Sequence, residues 1–475
     1  MTNSNLLNKF LEYALGSGIV LLLGLISSPI NTRLFSPSEF GKYSMFILFS
    51  SLIGSIILMG LDNSFVRFFY EEEKEGRAKL LKASLKLPIL LVVISSLLLI
   101  IFCSSILNQL FNEFNIQLII LIIINNFFSL LSRYMFLVVR MQQKGRIYSY
   151  LQIAQKALNI ILILVFFKFF DNNFLALVYS FVISQLITCL IGMLIEKEIW
   201  FSMFKSNQIK TTNIELLKYG FPLVFTYLIT WLFQSIDRIA IKHFKDFKEL
   251  GLYAAAFSIV ALLNAVQGAF TTFWVPVAFE KFSKNPNDKQ FFEKVSRLVA
   301  FTMFFIGTLI ILFKDIIIYL LGNEYRGASY IMPFLIFMPI MYTISETTVL
   351  GINFQKKSSM HIIIAIIAAL VNLIGNLLFV PKYGAVGAAI STGIAYIIFF
   401  YLRTIISKKY FKINYGLTKI FVSTLCLFVL AFYASFNNVD IITILLGVLN
   451  LFVIVFLYYK DIFNLFSFNN LIKKN

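Results

Sequence analysis

The feature that most constrains this chain is a series of apolar runs, repeated from near residue 10 to residue 459 and mostly about 20 residues long. A helix of that length crosses about 30 Å of hydrocarbon, and it satisfies every backbone N–H and C=O internally, as lipid demands. Fourteen candidate spans follow: 11–34, 42–66, 87–107, 116–139, 147–167, 174–195, 216–241, 250–279, 298–321, 328–352, 360–380, 384–406, 416–436 and 439–459. Only 13% of the 475 residues are charged and the mean hydropathy is +0.85, whereas soluble domains carry roughly a quarter charged residues. The pattern predicts an all-α polytopic membrane protein with no room for a large soluble domain. The first run, FLEYALGSGIVLLLGLISSPINTRLF, is too long for a signal-peptide core and lacks a small-residue cleavage site, so it reads as a retained first helix.

An even number of spans puts both termini on one side, so Lys and Arg in alternate loops can be pooled. Stretches 67–86, 140–146, 197–218, 281–297, 356–357 and 403–419, together with Lys9 and the tail after 459, hold about three times as many as the opposite loops. That side, with both termini, is expected to be cytoplasmic. The net charge of +18 is then largely an orientation signal and gives no reason to expect nucleic-acid binding. Opposite loops such as FNEFN (111–115), FDNN (170–173) and FNNVD (436–440) are short, too small for an enzyme that polymerises glycans outside the membrane.

Nothing in the chain suggests an enzyme. Cys103, Cys189 and Cys426 fall in separate apolar runs, His243 and His361 sit at segment ends, and no HExxH, GxSxG or GxxxxGK[ST] pattern occurs. No cofactor or metal is expected.

The sequence repeats internally. Glu39, Gly41, Tyr43 and Leu52 each stand 210 positions before Glu249, Gly251, Tyr253 and Leu262. Both copies fall between the first and second helices of a six-span set, and six is even. The two sets therefore enter the membrane in the same direction, which implies parallel lobes around a central cavity, a transporter architecture. The expected organisation is an N-terminal lobe over 1–205, a C-terminal lobe over 206–410, and two further helices with a tail over 411–475. Prolines within spans, Pro29, Pro88, Pro222, Pro276, Pro333 and Pro339, suit kinked helices but are common in membrane bundles generally.

Several stretches carry a resemblance: GLDNSFVRFFYEE (60–72), DRIAIKHF followed by GLYAAAFSIVALLNAV, FWVPVAFEKF (273–282) and FVPKYGAVGAAIST (379–392). Over nearly its whole length the chain resembles the Wzx-type polysaccharide flippases of the multidrug/oligosaccharidyl-lipid/polysaccharide (MOP) exporter superfamily. The resemblance implies a MATE-like fold in a bacterial plasma membrane. It also implies movement of undecaprenyl-pyrophosphate-linked oligosaccharide to the outer leaflet, for O-antigen of lipopolysaccharide, capsule or another surface polysaccharide. Expected partners are the lipid-linked substrate, membrane lipids and polysaccharide polymerase or assembly proteins.

Such a cargo needs cations for its diphosphate and hydrogen-bonding groups for its sugars, and the planar fork of Arg suits phosphate. Asn125, Ser129 and Arg133 share one helix face, as do Gln152, Lys156 and Asn159, and Thr230, Gln234 and Arg238. Arg133, Lys156 and Arg238 are candidates for cavity lining, against structural pairing or snorkelling. Arg33 and Arg67, the latter one turn from Asn63, lie at span ends where snorkelling is the rival reading. Asn264, Gln267 and Thr271, and likewise Asn372 and Asn376, serve either glycan contact or interhelical bonding.

Three acids lie deep enough to couple transport to a H+ or Na+ gradient: Asp62, Asp237 and Glu346. Each is equally placed to neutralise a base. Asp62 precedes Arg67 by five positions, and Asp237 adjoins Arg238 within ITWLFQSIDRIAIKHF, although about 100° of helix rotation sends that pair to different neighbours. Glu346, with no base in its own span, is the strongest coupling candidate. Three rivals remain open: a multidrug or organic-cation antiporter, whose cavity would favour acids; a peptidoglycan-precursor (lipid II) flippase; and a non-transporting scaffold, which paired lobes and polar faces disfavour.

Overall fold

A computed structural model describes residues 3–170, 172–204, 209–286, 288–357 and 359–472. Asp171 of the FDNN loop and, among the bases used for orientation, Lys205, Lys473 and Lys474 lie outside the described residues, as does the side chain of Lys9. The long helices are α1 (Asn3–Leu34), α2 (Pro37–Leu58), α3 (Gly76–Ile101), α4 (Ile116–Met141), α5 (Gly145–Phe170), α6 (Leu175–Ile195), α7 (Asn213–Phe244), α8 (Phe247–Lys284), α9 (Lys289–Leu312) and α10 (Ala328–Thr348). They are followed by a 52-residue stretch, Ser359–Tyr410, and by α13 (Leu417–Ala434) and α14 (Ile441–Ile472). Among the described residues no strand occurs, and 13 helices are long and apolar enough to cross a membrane.

The 52-residue stretch accounts for the difference from fourteen expected spans. As one rod it would be roughly 78 Å long at 1.5 Å per residue, more than twice the hydrocarbon thickness. Its helical conformation breaks at Gly384, where φ is 57° and ψ −133°. Beyond that point the chain turns back: Asn372 Nδ2 donates to Thr392 Oγ1 at 3.1 Å, and Gly375 lies against Ser391. The stretch is thus a helical hairpin of α11 (359–383) and α12 (385–410), close to the expected 360–380 and 384–406. Residue 384 favours glycine twice over, through its positive φ and because a Cβ there would stand 2.6 Å from Glu249 Oε2.

The chain forms two compact units, Met1–Leu232 and Phe233–Asn475, with the boundary inside α7. In the first, α5 packs against α1 and α6, and α4 against α6, α2 and α3. At the break between α2 and the short helix Leu61–Phe68, Gly60 adopts a left-handed φ of 69° and meets the backbone of Gly220 so closely that no Cβ fits. Ser64 Oγ fixes the same contact by donating to the Leu216 carbonyl at 2.7 Å. In the second unit α10 is almost wholly enclosed by neighbours, while α14 packs on α9 and α13.

The 210-residue repeat has a structural counterpart. Ser36 and Asp246, also 210 positions apart, N-cap α2 and α8 by accepting the backbone N–H of Glu39 and Glu249. Each Glu then caps a distant helix: Glu39 Oε2 accepts the Phe174 N–H at 2.8 Å at the start of α6, and Glu249 Oε2 the Ala385 N–H at 2.9 Å at the start of α12. A carboxylate at a helix N-terminus satisfies orphan donors and complements the dipole.

Candidate functional site

The second unit contains a cavity of about 440 Å³. Gln234 and Asp237 of α7, Asn264 and Gln267 of α8, and Asn372 of α11 give it polar groups, among aromatic walls that include Phe257 and Tyr342. The spacing follows helical geometry: Gln234 and Asp237 are three residues apart, as are Asn264 and Gln267, so each pair opens on one side of its helix.

Asp237 organises this site. Its side chain is 4% exposed, and three other helices donate to it: Tyr253 Oη of α8 at 2.5 Å, Asn376 Nδ2 of α11 at 2.8 Å and Thr392 Oγ1 of α12 at 2.5 Å. Asn376 Nδ2 also bonds the carbonyl oxygen and side-chain oxygen of Asn372, leaving Asn376 Oδ1 buried without a partner. No Lys, Arg or His lies within ion-pair distance of Asp237 among the described residues. The carboxylate is therefore held by neutral donors alone, and the Asn376 amide nitrogen stands between it and the Asn372 side-chain oxygen.

Arg238 looks elsewhere, as the 100° rotation requires. Its guanidinium lies 5.3 Å from the centre of the Phe257 ring, its Nε has no partner, and it does not line the cavity. On the Thr230, Gln234, Arg238 face only Gln234 does so; Thr230 bonds the Thr226 carbonyl.

The other two deep acids are ion-paired. Glu346 accepts from Arg403 Nη1 of α12 at 3.0 Å, and the same nitrogen reaches Ser345 Oγ at 2.7 Å. Arg403 stacks on Phe399 and Tyr342 and is 6% exposed, although its position near a span end suggested a loop base. Asp62 pairs with Arg133 rather than Arg67: Arg133 Nη2 and Nε reach Asp62 Oδ2 at 2.8 and 3.1 Å, and Asn63 donates to Oδ1. Arg67 pairs with Glu71 instead. The Arg133 side chain remains half exposed.

The first unit distributes the rest. Along the α4 face, Asn125 is buried with Oδ1 unpartnered and Ser129 accepts from Gln185 at 2.7 Å. Along α5, Gln152 donates to Tyr148, Lys156 reaches Ser27 Oγ at 3.3 Å and Asn159 keeps a buried, unpartnered Nδ2. Arg33 is exposed at the end of α1. Sequence reasoning passed over Tyr253 and Thr392 as site residues; Tyr253 had a signal, being one of the repeat identities.

Outside the membrane segments, Glu72 fastens the loop after α2 to the entry of α7. Burial works against ionisation, but hydrogen bonds from Thr211 Oγ1 and from the Lys210 and Thr211 N–H groups outweigh it and hold the carboxyl below its ordinary value of 4.5.

Comparisons with known proteins agree with this architecture. Residues 6–282 match the model of a family described as polysaccharide biosynthesis protein. The chain is 24% identical over 307 residues to an uncharacterized membrane protein of Haemophilus influenzae, covering 64% of this chain and 72% of that one. It is 22% identical to an uncharacterized membrane protein of Methanocaldococcus jannaschii, covering 76% and 75%. Among solved structures, the lipid II flippase MurJ in an inward closed conformation superposes with a TM-score of 0.71 at 20% identity, over 95% of this chain and all but 1% of that one. An inward-facing multidrug resistance MATE family transporter of the MOP superfamily gives 0.61 at 14%, over 82% and 94%. The fold is therefore that of MOP-superfamily transporters, and the family match spans more than half the sequence: the chain belongs to the polysaccharide biosynthesis protein family.

Proposed function

We propose that this protein is a Wzx-type flippase that carries undecaprenyl-pyrophosphate-linked oligosaccharide from the cytoplasmic to the outer leaflet by alternating access, in the synthesis of O-antigen, capsule or another surface polysaccharide. The observation that carries the reading is the cavity of the second unit. Its polar groups are mainly amides and hydroxyls set among aromatic rings, the chemistry that hydrogen-bonds sugar hydroxyls and packs on sugar rings. An organic-cation antiporter needs acids free to meet its cargo. Here Asp62 and Glu346 are neutralised by Arg133 and Arg403, and Asp237 is already engaged by three donors.

For the diphosphate, Arg133 is the first choice. Asp62 fixes its guanidinium through Nε and Nη2, leaving Nη1 for an anion. Lys156 is the second. The Lys and Arg asymmetry supports a plasma-membrane protein with cytoplasmic termini. Coupling to H+ or Na+ falls to Asp237, the one deep acid of the three whose described partners are all neutral. Its neighbours Tyr253, Asn376 and Thr392 orient the carboxylate for that role.

Deletion of the gene followed by analysis of lipid-linked intermediates tests the reading. It predicts accumulation of one undecaprenyl-linked repeat unit on the cytoplasmic face. Drug hypersensitivity with normal surface glycan would instead support the antiporter.

A further inference from the structure

A groove unrelated to the cavity lies beside the start of α3. Lys79, Lys82 and Lys86 line a hollow of about 540 Å³ together with the apolar Ile89, Phe204 and Ile209. Positions i, i+3 and i+7 stack on one helix face, and among the described residues the lining contains no carboxylate. Lys82 Nζ stands 5.6 Å from the centre of the Phe204 ring.

The groove's depth follows from the sequence. Directly after Lys86 comes LPILLVVISSLLLII, and Ile89, Leu90, Val93, Ile94 and Leu97 within it are exposed, as side chains that meet acyl chains are. The three lysines therefore stand at the level of lipid headgroups, where long basic side chains place their ammonium groups in the polar layer. An occupant must bring negative charge to the lysines and hydrocarbon to the apolar lining at once. Free phosphate offers only the first.

We propose that this groove binds an anionic diacyl phospholipid, with its phosphate among the three ammonium groups and its upper acyl carbons on the apolar side chains of the lining. Each lysine near an anionic headgroup contributes about 1 kcal/mol, so two effective contacts amount to a preference of roughly thirtyfold over a zwitterionic lipid of the same chains.

The test is native mass spectrometry of the full-length, delipidated protein titrated with phosphatidylglycerol or phosphatidylcholine. The wild type is expected to favour phosphatidylglycerol by at least about tenfold. K79Q/K82Q/K86Q is expected to bring the two lipids within about twofold, and K82Q/K86Q, which spares the half-buried Lys79, to fall between. K408Q/K409Q/K412Q, the same charge loss elsewhere, should keep the wild-type preference. The proposal is overturned if the groove variants keep that preference, or if the control triple loses it equally. It is also overturned if inorganic phosphate competes as well as the lipid does, or if undecaprenyl pyrophosphate displaces phosphatidylglycerol at lower concentration, which would make the groove a substrate entry.

Discussion

Glu249 and Ala385, 136 residues apart, are joined by a carboxylate that accepts the backbone N–H at 2.9 Å, and Glu39 makes the same bond to Phe174 at 2.8 Å in the other half of the chain. One structural device, a Glu three residues into a helix that caps the sixth helix of its own set, has been kept in both copies of the repeat. In the second copy it is joined to the turn at Gly384 that lets α11 and α12 form a hairpin.

Loss of such a cap costs about 1 kcal/mol, so Glu249→Ala and Glu39→Ala should each lower the thermal unfolding temperature modestly. Gly384→Ala should lower it further, since it adds a Cβ 2.6 Å from Glu249 Oε2 to a backbone at φ 57°. Thermal unfolding in detergent measures both, and an unchanged transition for Gly384→Ala would refute the tight turn.

Cation dependence should reside in Asp237. Asp237→Asn removes the charge but keeps an acceptor for Tyr253 and Thr392. It should therefore fold, and should lose any stabilisation by NaCl over choline chloride that the wild type displays, together with the cation dependence of transport. Glu346→Gln should keep both. Equal retention by the two variants would move coupling to another group.

Arg133 should matter to transport beyond its structural pairing. Arg133→Ala leaves Asp62, 3% exposed, without its cation and is expected to reduce stability as well as export. Asp62→Asn/Arg133→Ala relieves the unpaired charge, so it should recover expression while export stays low. Recovery of export in the double variant would reduce Arg133 to a counterion.

Spans, internal repeat and fold class were legible because each is a local or periodic property of the sequence. Even the α11–α12 turn was close: Gly384 is the first residue of the expected span 384–406. The partners of the deep acids were not legible. Asp62 and Arg133 are 71 positions apart, and a nearer base, Arg67, offered itself and took Glu71. Glu346 had no base in its own span because its partner comes from α12, 57 positions on. Helical periodicity assigns a side chain to a face, and which helix packs against that face is a tertiary fact. Asp237 illustrates both: rotation alone separated it from Arg238, but Asn376 and Thr392 as its partners required the hairpin.

The Glu72 latch should yield below the ordinary carboxylate range. Its carboxyl titrates lower in the folded protein than in the unfolded chain, so its contribution is complete above 4.5 and disappears as pH falls through the folded value. Wild type and Glu72→Gln should therefore differ in unfolding temperature by a constant amount at neutral pH and converge in acid. A gap that widens on acidification would reverse the assigned sign.

The most direct measurement is transport itself: the purified chain in vesicles carrying an undecaprenyl-pyrophosphate-linked oligosaccharide in the inner leaflet, with outer-leaflet glycan detected by an impermeant lectin or glycosidase. The account predicts protein-dependent appearance of glycan outside, reduced severalfold by Arg133→Ala and by substitution of Gln234 and Asn264 with Leu. Equal rates with empty vesicles, or efflux of organic cations with no glycan translocation, would contradict it.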